Sequence, residues 1–188
     1  MAKLIYSMLA SLDGYVEDAD GRFGWAAPRS EALRAFVNEI GASVGTYLYG
    51  RRMYETMVFW ENANEMPLGM GDLELEWARA WRDTDKVVYS ATLDAPRSER
   101  TRIERSFDPE AVRSLVAASK RDVAIAGPTL AAPAIEAGLV DEVHAILAPV
   151  VVGGGKPLFP HGSRLELRLV DTRAFADGFV ALRYAARA

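Results

Sequence analysis

The chain has 188 residues, 50% of them hydrophobic and 26% charged, with a formal net charge of −4. That balance suits one domain with a filled core and gives no general attraction to nucleic acid or to an anionic membrane. Without cysteine, disulfides, thiol catalysis and cysteine-based zinc sites are excluded; with no leader pattern and no apolar run long enough to cross a bilayer, a cytoplasmic protein is expected.

Residues 3–10 are mostly apolar and predict a central strand. Turn chemistry follows in Ser11-Leu12-Asp13-Gly14, then a short extended piece at 15–17. The loop at 18–24 holds Asp18, Asp20 and Gly21. Trp25, just after it, reads either as a core anchor for that loop or as a wall facing a ligand. Pro28 and Ser30 open a helix, Leu33, Phe36, Val37 and Ile40 repeat at helical spacing, and Gly41 ends it. Residues 46–49 form a strand closed by Gly50. A helix begins at once over 51–59, with Met53, Met57 and Trp60 roughly on one side. A loop at 63–71 leads to a helix over 72–82, where Leu73, Trp77 and Trp81 fall four apart. Trp60, Trp77 and Trp81 read as core packing or as a dimer face; Trp60 also reads as a substrate contact.

Residues 86–90 are a short buried strand, 94–100 a polar loop and 101–107 an edge strand. Asp108-Pro109 opens a helix with Val112, Leu115 and Val116 inward. The apolar run 123–126 is a buried strand closed by Gly127-Pro128. Thr129 can cap the helix over 130–137, which Gly138 stops. Residues 143–152 are β-branched and strand-like, and three glycines follow at 153–155. Leu165, Leu167 and Leu169 then alternate with polar residues, Asp177-Gly178 supplies a hairpin turn, and 179–185 return. Strands alternating with helices, followed by an antiparallel pair, predict one α/β domain over residues 1–188. It has a central mixed, mostly parallel sheet, flanking helices and a C-terminal antiparallel hairpin.

Two strand–turn–helix units, at Gly50 and Gly127, aim free backbone N–H groups at the carboxyl edge of the sheet, where phosphates are held. In Gly50-Arg51-Arg52 a guanidinium can add paired hydrogen bonds to phosphate; the plainer reading is a helix start with two solvated arginines. Lys156, after the glycines, reads as an anion contact or as a loop lysine. The acids near the expected cleft are Asp13, Glu17, Glu31, Glu39 and Glu55. Asp13 reads first as a turn former with Gly14, and Glu55 as the partner of Arg51 or Arg52 on its own helix. Asp13 and Glu31 are kept as candidate proton donors. His144 and His161 lack the companions of a metal site, and none is expected.

Four stretches carry a resemblance: Ser-Leu-Asp-Gly-Tyr at 11–15, Tyr-Gly-Arg-Arg-Met-Tyr-Glu at 49–55, Gly-Leu-Val-Asp-Glu at 138–142 and Pro-Val-Val-Val-Gly-Gly-Gly-Lys-Pro-Leu-Phe at 149–159. Together, and in this order, they resemble the dihydrofolate reductase-like family, in the branch that includes the reductase domain of riboflavin biosynthesis (the RibD C-terminal domain). The resemblance implies a dihydrofolate reductase-like fold, NADPH as cofactor, a homodimer, and hydride transfer to a small heterocyclic or pyrimidine/pterin-like acceptor. The relevant activity is similar to 5-amino-6-(5-phosphoribosylamino)uracil reductase. It puts Ala10, Gly14, Gly50, Arg51, Arg52, Ser90, Ala91, Thr92, Gly127, Pro128, Thr129, Leu130 and Gly154 on the cofactor. Trp25, Trp60 and Lys156 fall to the substrate.

There are two departures from the family pattern. The family commonly has two glycines where this chain has Gly127-Pro128, joined by a cis bond in classical members. Proline removes one N–H and makes a cis bond cheap, so a cis Gly127–Pro128 bond is expected, with phosphate contacts shifted to Thr129 and Leu130. Classical members also carry an acid on the first long helix, where this chain has Val37 and Ile40 inward. That argues against folate reduction and keeps open a nicotinamide- or small-ligand-binding module without turnover, or a homodimer scaffold with an empty cleft. The zinc-ligand motif of the deaminase that often precedes this reductase is missing, so a stand-alone member is expected.

Overall fold

Strands form where β-branched and aromatic runs lie between glycines and helix caps. In the computed structural model, which describes residues 1–65 and 70–187, they are β1 (Leu4–Ser11), β2 (Tyr15–Glu17), β3 (Val44–Gly50), β4 (Asp85–Tyr89), β5 (Thr101–Glu104), β6 (Asp122–Ala126), β7 (Glu142–Ala148), β8 (Lys156–Pro157), β9 (Leu167–Ala174) and β10 (Val180–Ala186). The helices are α1 (Glu31–Ser43), α2 (Arg51–Met57), α3 (Asp72–Asp83), α4 (Pro109–Ala118) and α5 (Pro128–Glu136). Two 3-10 stretches, Gly24–Ala26 and Val58–Glu65, the second kinked at Asn62, complete the regular structure of the described residues.

Eight strands make one sheet in the order β5-β4-β3-β6-β1-β7-β10-β9. Every pairing from β5 to β7 is parallel, and β10 runs antiparallel to both β7 and β9. This is the mixed, mostly parallel sheet with a terminal hairpin that the pattern predicted. β2 and β8 pair antiparallel as a separate ribbon. Side chains alternate between the faces. Leu48 and Ile125 join the core with Val112 of α4 and Leu130, Ala131 and Ala134 of α5. Tyr47, Tyr49 and Ala124 pack with Tyr54 and Trp81 from α2 and α3. Leu33 of α1 packs with Ile146, Phe175 and Phe179. Asp177 in the hairpin turn accepts from the Ser30 N–H at 3.0 Å, and the Ser30 hydroxyl caps α1 through Leu33 N–H at 3.2 Å.

Several boundaries differ from the expected ones. Gly41 does not end α1 but lies inside it, because a Cβ there would sit 2.5 Å from Trp77 Cζ3. Its glycine lets α1 and α3 touch. β7 stops at Ala148 rather than near 152, since Pro149 has no N–H for the ladder. α2 ends at Met57 and continues as the 3-10 segment, so the loop expected from 63 begins later; residues 66–69 of it lie outside the described residues. α5 begins at Pro128, with Gly127 rather than Thr129 in the capping position. β9 is the outer edge, and its register shifts at Val170, between the pairs Asp171–Arg183 and Leu169–Tyr184.

Candidate functional site

Parallel pairing brings the carboxyl ends of β4, β3, β6, β1 and β7 to one edge. Gly50 pairs with Tyr89 and Tyr49 with Ala126, so the ends at 50, 90 and 127 are neighbours. The two glycine turns interlock. A Cβ on Gly50 would stand 3.8 Å from Leu130 Cβ at the start of α5, and one on Gly127 would stand 3.6 Å from Met53 Cβ in α2. Each turn therefore faces the first turns of the other helix, and bulk at either position would narrow the space between them.

The Gly127–Pro128 bond is trans, against the expected cis bond. Gly127 makes the corner instead through a positive φ of 93°, open to glycine. Its N–H points at Met8 Sδ, 3.1 Å away. Pro128 has no N–H, so the first amide donors that α5 can offer a ligand belong to Thr129 and Leu130.

At the end of β4, Ser90 is nearly buried, and its hydroxyl accepts from Thr92 N–H at 3.3 Å and Leu93 N–H at 2.9 Å. Arg105 reaches back to donate to the carbonyls of Ser90 (3.1 Å) and Leu93 (2.8 Å). The exposed Ala91 lies between. Arg51 Nη1 donates to Thr92 Oγ1 at 2.7 Å while its Nε pairs with Glu55 at 2.9 Å. Arg51, Thr92 and residues 93–97 enclose a pocket of about 280 Å³ with Arg97 on its wall. Sequence reasoning missed Arg97 and Arg105. The only signal for either was an arginine in an alternating edge strand.

The other two motifs meet at the ends of β1 and β7. Ala10 is buried next to Leu147 in the ladder. Gly14 turns with φ 84° and its carbonyl accepts from Leu158 N–H at 2.8 Å. The Asp13 carboxylate accepts from Val152 N–H (3.1 Å) and Gly153 N–H (2.8 Å). Hydrogen bonds from Ser11 and from these two amides hold it below the usual carboxylate range. Asp13 thus stays ionised and ties the first turn to the glycine loop. Gly154 is half-buried within that loop. Lys156 Nζ lies 3.7 Å from Glu17, whose other oxygen is 3.2 Å from Arg52 Nη2. This three-charge contact joins residues far apart in sequence and had no local signal.

Trp25 packs against the cluster of Leu33, Ile146 and Phe179, and its Nε1 donates to the Arg22 carbonyl at 3.1 Å. Trp60 packs edge-on against Phe59 and Trp77. Glu31 is exposed in the first turn of α1, and Glu39 pairs with Arg173 at 3.7 Å. His144 belongs to a different place, where β7 begins. There Glu142, with its side chain 5% exposed, accepts from Lys3 (2.5 Å), His144 (3.0 Å) and Arg183 (2.8 and 3.2 Å). Burial alone would raise this carboxyl, but those hydrogen bonds win and hold it at about 2. Burial pushes His144 below the ordinary imidazole range. Among the described residues no group of three or more His, Cys, Asp or Glu is placed to hold a metal ion, and no helix is long and apolar enough to cross a membrane.

The order of strands, the two helix-opening glycine turns on one edge and the terminal hairpin define a dihydrofolate reductase-like α/β protein. Among solved structures, dihydrofolate reductase from Enterococcus faecalis, complexed with NADP(H), matches with a TM-score of 0.65 at 14% identity over 99% of this chain and 97% of that one. A putative riboflavin biosynthesis protein from Shewanella sp. PV-4 matches with a TM-score of 0.75 at 18% identity over 100% of both chains. The chain belongs to the RibD C-terminal domain family, whose model matches residues 2–181. The uncharacterized protein YyaP of Bacillus subtilis (strain 168) is 30% identical over 185 residues, 97% of this chain and 94% of that protein.

Proposed function

We propose that the protein is a reductase that takes NADPH along the carboxyl edge of its sheet and reduces a small heterocyclic, pyrimidine- or pterin-like acceptor. The observation that carries this is the convergence of the ends at Gly50, Ser90 and Gly127, with each glycine turn facing the other's helix. The residues present fit the cofactor. Gly50 and Arg52 on one side, and the amides of Thr129 and Leu130 beyond Gly127 and Pro128 on the other, suit a pyrophosphate, while the Arg51 guanidinium turns to Thr92. Ser90, Ala91 and Thr92 suit the adenine ribose. The pocket between Arg51, Thr92 and Arg97 carries two arginines against one acid, Asp94, a balance that suits a 2′-phosphate and favours NADPH over NADH.

Ala10, Gly14 and Gly154 lie at the β1 and β7 ends, the stretch left for the nicotinamide, with Lys156 beside it and Trp25 as an outer wall of the acceptor space; Trp60 is taken up by packing against Trp77 of α3 and is not part of it. The bound cofactor supplies the hydride; the chain holds it against the acceptor and keeps the two in register. The cytoplasm is the compartment this reading implies. A homodimer is supported by the outer strand β9, where Leu169 and Val170 are exposed.

A second reading, a binding module without turnover, is favoured by Asp13, whose carboxylate is committed to two loop amides and has no proton to give. Titration with NADPH and NADH, paired with an oxidation assay over pterin, pyrimidine and quinone-like acceptors, separates the readings. Tight binding with turnover of one acceptor class supports the reductase. Binding without turnover of any supports the module, and failure to bind either nucleotide refutes the reductase and a nicotinamide-binding module and favours a scaffold with an empty cleft.

A further inference from the structure

The ion pair between Arg52 and Glu17 occupies an unusual place in the fold. Arg52 stands at the start of α2, which follows β3; Glu17 stands in β2, which follows β1. In the sheet β6 lies between β3 and β1. The 3.2 Å contact between Arg52 Nη2 and Glu17 Oε2 therefore crosses the carboxyl end of β6, where Gly127 opens α5. The same guanidinium reaches the loop beyond β2, since a Cβ on Gly21 would sit 3.9 Å from Arg52 Nη2.

The two ends of this pair differ. The Arg52 side chain is 70% exposed and that of Glu17 only 19%. An ion pair with so exposed a member contributes little to stability and is cheap to exchange. The half-buried carboxylate does need a counter-charge. Glu17 has a second one in reserve, Lys156 Nζ, 3.7 Å from its other oxygen on the paired strand β8. The ribbon under Glu17 is itself firmly seated, for Gly155 leaves no room for a Cβ against the Glu17 carbonyl.

We infer that Arg52 and Glu17 form an electrostatic strap across the groove, which an incoming pyrophosphate opens by replacing the Glu17 carboxylate at Arg52 while Lys156 keeps Glu17 neutralised. This rests on the cofactor reading above and goes beyond it, in naming Glu17 and Lys156 as positioning residues that set the strength of anion binding through Arg52. An exchange of one carboxylate for one phosphate oxygen leaves the number of ion pairs unchanged, so the strap sets affinity without blocking entry.

The test uses the full chain and the variants Glu17→Gln, Lys156→Met and Glu17→Gln/Lys156→Met. Glu17→Gln frees Arg52, so NADPH and NADH should both bind about threefold to fivefold more tightly, the worth of an exposed ion pair. Lys156→Met leaves Arg52 as the only partner of Glu17 and should weaken binding; the double variant should behave like Glu17→Gln. Hydrogen–deuterium exchange of residues 17–26 in the ligand-free protein should rise in Glu17→Gln. The strap is overturned if that exchange is unchanged, if Glu17→Gln binds no more tightly than wild type, or if the double variant stays as weak as Lys156→Met. If wild type binds neither nucleotide, the cofactor reading falls, and the exchange measurement alone decides whether the strap exists.

Discussion

Replacing Glu142 with Gln keeps the shape of the side chain and removes its charge. Its carboxylate is 5% exposed and accepts from Arg183, His144 and Lys3. Its pKa falls from 4.5 to about 2. At about 1.4 kcal/mol per unit, the ionised form contributes on the order of 3 kcal/mol to folding. The folded value lies below the unfolded one, so this stability is complete above about pH 4.5 and is lost as pH falls toward about 2. Lys3 and Arg183 have side chains 44% and 45% exposed and can be rehydrated in the variant. The cost of Glu142→Gln should therefore be about 2 to 3 kcal/mol, below that of stranding a fully buried cation. Urea unfolding at about pH 7 reads this as a lower midpoint at constant slope. Repeated down to about pH 2, it should show wild type losing about 3 kcal/mol more than the variant. A variant within about 0.5 kcal/mol of wild type at neutral pH, or one with the same acid loss, refutes the reasoning.

Gly41→Ala should destabilise the protein by about 1 to 3 kcal/mol, since the new methyl meets the Trp77 ring and this outweighs the gain in helix propensity. Thermal unfolding measures it, and shortening the ring in Gly41→Ala/Trp77→Leu should recover part of the loss. Arg51→Gln should weaken NADPH more than NADH, by about tenfold in the ratio of dissociation constants. Equal weakening of both would place the 2′-phosphate elsewhere. Asp13→Asn should speed hydrogen exchange of the amides at 152 and 153 and leave the pH profile of NADPH oxidation in place, because the Asp13 carboxyl does not titrate near neutrality. A shifted profile would make Asp13 the acid.

Much of the fold was legible because its strands are short apolar runs closed by glycine or proline, as at Tyr49-Gly50 and Ala126-Gly127. What escaped was decided between segments. Gly41 carries the signal of a helix stop, and only contact with Trp77 from α3 shows that it serves close packing. Residues 150–152 are as β-branched as the strand before them, yet Pro149 ends the ladder first. A glycine at 127 permits both a cis bond and a positive φ, and the backbone took the second. At the site, the glycines and Arg51 stand in local motifs and could be named in advance. Glu17 with Arg52, Asp13 with Val152, and Arg105 with Ser90 are pairings across the chain, for which a single sequence carries no periodicity and no spacing rule.

β1 comes before every strand it pairs with in the sheet. Leu4 stands opposite Val123 in β6, and Ile5 opposite Glu142 in β7. Neither neighbour exists until most of the chain has left the ribosome, and the closure of so long a segment must precede any reward from pairing. The centre of the sheet is therefore held by contacts distant in sequence, and the hairpin of β9 and β10 can join only after it. Until β6 and β7 have been made, β1 is an apolar strand without a partner, and that strand is where a chaperone has the most to protect.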